Sequence, residues 1–156
     1  MRNILMLMLV AVLVTVCGCA SRSGRLNPGS SYLGDAYPAN SINTVAEHLA
    51  ETLAVTYPPG YTTFFLQPST SPQDDLGPAI DAALRARGFT LMPDKNDQAL
   101  TLVYVLDRID EETWYSRLAV SDGLVITRTW RLTGDDLEME AATIRSGQTE
   151  SAHVQR

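Results

Sequence analysis

At 156 residues and 45% hydrophobic content, the chain is long enough for one compact domain and too short for several. The formal net charge is −6 and Lys95 is the only lysine, so a phosphate-gripping basic cluster is excluded and no direct nucleic-acid binding is expected. The sequence also lacks a phosphate loop, a nucleophile elbow and a Gly-rich cofactor fingerprint, so neither an enzyme, a cofactor nor a small-molecule substrate is expected.

The first element is an apolar run, Ile4 to Val16, opened by Arg2. It has the length of a signal-peptide h-region and is too short to span a bilayer, which takes about 20 apolar residues. A small residue, Gly18, stands directly before Cys19, and Val16 lies three positions upstream of it. This junction resembles the lipobox of bacterial lipoproteins, in which the signal is cut between Gly18 and Cys19 and the cysteine is linked to diacylglycerol. Cys17 does not fit, because bulky Val16 would sit next to the cut. Residues 1–18 are therefore expected to be a signal peptide and Cys19 the lipidated mature N-terminus, leaving no thiol free for a disulfide. The covalent lipid is the only added group expected, and it would make membrane anchoring effectively permanent. With Ala20 and Ser21 next, there is no aspartate of the kind that retains lipoproteins in the inner membrane. The expected location is the outer membrane, lipid-anchored on its periplasmic face.

Residues 19–40 are rich in Ser, Gly, Pro and Asn and are expected to be a flexible tether. Tyr32, Leu33 and Tyr37 within it are either a short segment that orders on a partner or scattered linker aromatics. A globular domain is expected over residues 41–132. Its first helix should start near Thr44, where Thr44-Val45-Ala46-Glu47 matches a capping box and Val45, Leu49 and Leu53 share a face. Pro58-Pro59-Gly60 ends it, and Thr62 to Leu66 reads as a buried strand. A second helix should run from about Asp75 to Arg87, with Pro78 in its first turn, a stripe of Leu76, Ile80, Ala83 and Leu84, and Gly88 as its stop. Phe89 to Met92 predicts a short strand, and Leu100 to Leu106 a central strand apolar on both faces. Trp114 to Val120 and Leu124 to Leu132 predict a hairpin around Ser121-Asp122-Gly123. Residues 133–156 are polar and acidic and are expected to be a disordered tail, with at most one short element near Ala141 to Ile144. The expected class is α+β: a small two-layer sandwich with two helices on one face of a mixed sheet of about five strands.

Residues able to carry chemistry are few. His48 and His153 have no companion ligands, so surface roles are expected and no metal site. Asp107, Asp110, Glu111 and Glu112 cluster at a strand end, where a weak cation site or acid/base pair competes with a plain solvated turn. The expected contact with a partner is the last strand, Leu124 to Leu132, taken as a sheet edge open to strand addition. Its residues Thr127 and Thr129 lie on a β-prone face too polar for a core. Trp130, on the other face, is either core or an exposed anchor. Arg128 interrupts that inner face, so it must reach the sheet margin, pair with a carboxylate, or mark a strand only partly covered.

Several motifs carry a family resemblance. They are the lipobox, the helix with Leu49 and Leu53, and Tyr57-Pro58-Pro59-Gly60 leading into Thr62-Thr63-Phe64. Leu76-Gly77, Ala83-Leu84-Arg85-Ala86-Arg87-Gly88-Phe89 and Tyr104-Val105-Leu106-Asp107 continue them. The chain, from Ala46 through Arg131, resembles the TrbH family of conjugal-transfer lipoproteins. The resemblance implies a structural outer-membrane lipoprotein of a conjugative type IV secretion system, needed for mating-pair formation and plasmid transfer, with outer-membrane channel subunits as partners. The alternative is an accessory envelope lipoprotein of a transport or pilus assembly machine. A periplasmic hydrolase or sugar-binding protein is a third class, disfavoured by the missing catalytic constellation.

Overall fold

The computed structural model describes residues 29–146, which form an α+β sandwich of two helices on one face of a mixed seven-stranded sheet. The strands are β1 (Tyr32–Leu33), β2 (Thr63–Leu66), β3 (Thr90–Met92), β4 (Leu100–Arg108), β5 (Thr113–Val120), β6 (Leu124–Thr133) and β7 (Asp136–Ser146). The helices are α1 (Ile42–Thr56), entered through a 3-10 turn at Ala39–Ser41, and α2 (Leu76–Ala86). The sheet order is β3-β2-β4-β5-β6-β7, and β1 pairs with β4 beyond the end of β2. β1, β2 and β3 run parallel to their neighbours, whereas β4 to β7 form an antiparallel meander.

The helices follow their apolar stripes. Val45, Leu49 and Leu53 on α1 and Leu76, Ile80 and Leu84 on α2 are fully buried. Pro78 occupies the first turn of α2, where a missing N–H costs nothing. Gly88 closes that helix at φ +88°, and the Phe89 N–H donates to the Leu84 carbonyl at 3.1 Å. The start of α1 differs from the capping-box expectation. The helix begins at Ile42, and no side-chain hydrogen bond caps it at Ser41. Ser41 Oγ accepts instead from the Leu137 N–H at 2.7 Å, and Glu47 pairs with Arg87. Both polar groups of the N-terminal turns are thus used to join elements.

β4 is buried on both faces, as its composition predicts: Leu102, Tyr104 and Leu106 face the helices, and Val103 and Val105 lie on the other side. The inner layer continues through Trp114 and Leu118 of β5 and Ile126 and Trp130 of β6. The hairpin turns at Gly123, whose φ of +101° suits glycine.

Three expectations are corrected at the margins. The tether expected over residues 19–40 does not extend so far: Tyr32 and Leu33 pair with Val105 and Leu106, and Leu33 is 2% exposed. No strand flanks Leu33 on its other side, so Ser71 Oγ takes its N–H at 2.9 Å and donates to its carbonyl at 2.7 Å. The aromatics of this segment order on the domain itself. Second, residues 136–146 are strand rather than tail: β7 pairs with the whole length of β6. The sheet therefore exceeds five strands. Third, β6 is flanked by β5 and β7, so it is not an edge; among the described residues β7 and β3 end the main strand order.

α2 approaches β4 closely at Gly77. A Cβ there would collide with the Tyr104 hydroxyl and lie 2.7 Å from Asp74 Oδ2. Tyr104 Oη donates to Asp74, and Asp74 Oδ1 accepts the Gly77 N–H at 3.1 Å, so the three groups form one half-buried corner. Gly77→Ala is expected to destabilise the domain by about 1–3 kcal/mol through overpacking. Urea unfolding checks this, and in a Tyr104→Phe background the alanine should cost less because the colliding oxygen is gone. Equal losses in both backgrounds would refute the packing argument.

Candidate functional site

Three sets of polar groups among the described residues bear on function. The first is a series of tyrosine–aspartate pairs that fasten loops to the frame. Tyr37 donates to Asp75, Tyr104 to Asp74, and Tyr57 to Asp122 at 2.8 Å. Burial and the neighbouring carboxylates push the Tyr57 and Tyr104 hydroxyls above the usual tyrosine range, so both stay protonated and act as donors at neutral pH.

The second set is the acidic turn between β4 and β5. Asp110 Oδ1 accepts the backbone N–H groups of Glu112 at 3.0 Å and Thr113 at 2.8 Å. These N–H groups hold its carboxyl below the ordinary range. Arg131 faces the same turn, with Nη1 3.8 Å from Glu112 Oε2 and Nε 2.6 Å from Glu140 Oε1. Asp110 is directed at backbone and Glu112 at Arg131. Among the described residues no group of three or more His, Cys, Asp or Glu is arranged to hold a metal ion.

The third set lies where α1 meets β6 and β7. Trp130 is fully buried; its Nε1 donates to Ser116 Oγ at 2.9 Å, and its ring stands edge-on to His48 at 5.7 Å. It is core, not an exposed anchor. Thr127 and Thr129 lie on the opposite, helix-free face, half-buried between partners on β5 and β7. Structure therefore separates the three residues expected to share a contact, and the strand-addition edge passes from β6 to β7. His48 packs half-buried between Trp130 and Glu51, whose carboxylate is 3.8 Å away.

Arg128 is the unusual member. It is 9% exposed, points inward from β6, and donates to Thr52 Oγ1 on α1. Its other terminal nitrogen meets the Met139 sulfur on β7. Nε has no hydrogen-bond partner, and among the described residues no carboxylate lies within salt-bridge distance of the guanidinium. Burial lowers its pKa, an effect that the more distant charge of Glu51 partly offsets. Beside it on β7, Met139 is 45% and Ile144 53% exposed.

Met139 and Ile144 are the residues that sequence reasoning missed. Their signal is a broken alternation: Leu137 and Met139, then Ala142 and Ile144, out of phase across the bulge where β7 pairs with Thr129 and Trp130. Gly18 and Cys19, the expected cleavage and lipidation pair, lie outside the described residues, as does His153. A cavity of about 380 Å³ lies on the helix-free face and is lined by residues including Gln67, Lys95, Asp97, Thr101 and Val103. Among the described residues no helix is long and apolar enough to cross a membrane.

The described residues thus form a two-layer α+β domain whose polar groups fasten loops and join elements. The chain is a member of the TrbH family: the family model for conjugal transfer protein TrbH matches residues 28–146. It is thus a component of conjugal transfer. No curated protein and no solved structure matches it.

Proposed function

We propose that this protein is a structural lipoprotein of a conjugative type IV secretion system, held at the periplasmic face of the outer membrane by lipid on Cys19. In this reading it serves mating-pair formation and plasmid transfer by docking onto channel subunits, and it performs no chemistry. The observation that carries the proposal is the Gly18-Cys19 junction closing an apolar run, in a chain whose residues 28–146 match the family. Its acidic charge and single lysine argue for protein contacts rather than contact with the transported DNA. Because β1 begins at Tyr32, only a short run of chain separates the lipid from the folded head. The thirteen residues from Cys19 to Tyr32 span at most about 45 Å when fully extended, so the head works close to the membrane surface.

Cys19→Ser is the test. The variant should accumulate as uncleaved precursor, lose palmitate labelling, leave the outer-membrane fraction and lower plasmid transfer. Labelling or outer-membrane fractionation that persisted in Cys19→Ser would refute the anchor.

A further inference from the structure

The helix layer is narrower than the sheet. Helices pack 8–10 Å apart and strands about 4.8 Å apart, so two helices cover roughly four strands. α1 and α2 lie over the inner residues of β2 to β6, and among the described residues nothing covers the inner face of β7 at Met139, Ala142 and Ile144. On the α1 side, His48, Thr52 and Val55 share the helical stripe that borders this strip, and Val55 is 85% exposed. The result is a shallow trough one strand wide, apolar along β7 and Val55, with Arg128 at its base.

That base is incomplete. A buried guanidinium is stabilised by a carboxylate that accepts from several of its N–H groups at once. Among the described residues Arg128 has a hydroxyl, a sulfur and a helix carbonyl, and none of them pairs with its Nε–H. A buried arginine left in this condition is costly to the isolated domain, and an aliphatic side chain of similar size would cost less. The edge of β7 is in turn poorly suited to a partner strand. Glu140 is the extra residue of the bulge, and Asp136, Glu138 and Glu140 charge the same end.

We infer that the α1–β7 trough is the docking surface for an amphipathic helix of another subunit of the transfer apparatus, one whose apolar face carries a carboxylate that pairs with Arg128. The helix lies beside α1 as a third member of the layer, its aliphatic residues covering Met139, Ala142 and Ile144. This inference rests on the reading of the protein as an apparatus component.

The experiment places a photo-crosslinking residue at Ile144 or Met139, with Thr127 on the opposite face as control, in cells carrying the complete apparatus. Crosslinked peptides are identified by mass spectrometry, and plasmid transfer is scored against a deletion strain complemented with the full chain. Crosslinks from both trough positions, and not from Thr127, should fall on one apparatus subunit, in a segment with helical apolar spacing and an Asp or Glu among its aliphatic residues. Arg128→Met should keep or raise the melting temperature of the isolated protein and lower transfer at least tenfold. Arg128→Glu should be rescued by arginine at the partner's carboxylate. Should Arg128→Met fail to fold, Ile144→Glu, at an exposed position, is expected to fold and to lower transfer by a similar factor. Crosslinks to a second copy of this chain, to a segment without a carboxylate, or to nothing would overturn the inference, as would full transfer by Ile144→Glu. Normal transfer by the deletion strain would instead overturn the apparatus reading itself.

Discussion

Trp130→Ala is expected to destabilise the domain by about 3–5 kcal/mol, the range for truncating a buried tryptophan. Small domains have about 5–15 kcal/mol in total, so the variant should approach the threshold of folding. The effect has two sources. The indole is fully buried against Trp114, which it faces across β5 and β6, and against the His48 ring. Removing it also strips the partner from Ser116 Oγ, a buried hydroxyl that accepts the indole N–H. Ser116→Ala keeps the packing and loses only this bond, at about 1–3 kcal/mol for the stranded indole N–H. Thr129→Ala, on the opposite face and half-buried, should cost less than either. Urea unfolding of the three variants tests the order Trp130, Ser116, Thr129, and a Thr129→Ala loss as large as that of Trp130→Ala would mean that the faces of β6 are wrongly assigned.

Leu84→Ala should cost about 2–5 kcal/mol, because Leu84 is fully buried at the end of the α2 stripe where the helix meets the sheet. In a domain of this size that lowers the melting temperature by roughly 10 °C or more. Arg87, one turn further on, is the informative contrast. It bridges to Glu47 of α1 at 2.5 Å, but Glu47 keeps 54% of its side chain in water. A pair so placed contributes about 0–1 kcal/mol, and Arg87→Ala should move the transition by only a few degrees. A calorimetric scan separates the two outcomes. Similar small shifts from both would place Leu84 outside the core.

The same contrast explains which parts of the fold were legible in the chain. The stripe of Leu76, Ile80, Ala83 and Leu84, the Pro78 start and the Gly88 stop describe α2 almost to the residue, because a helix answers to spacings of three and four along its own sequence. The β5–β6 hairpin was equally local, with alternation on both sides of Ser121-Asp122-Gly123. β1 was not. Two residues of strand carry no periodicity, and their structure depends on β4 and on Ser71, far away in the chain.

β7 escaped for a different reason. Its bulge shifts the apolar phase between Met139 and Ala142, and its carboxylates mimic a solvated tail. Without β7, β6 reads as an edge, and the expected contact falls on Thr127 and Thr129. The sequence alone established the helices, the hairpin, the doubly buried β4 and the family resemblance, all of which depend on patterns within a few residues. Strand order, the true edge, the burial of Trp130 and the unpaired state of Arg128 were decided only by tertiary structure. Each depends on which distant strand lies alongside, and a pairing energy between segments remote in sequence leaves no period in either one.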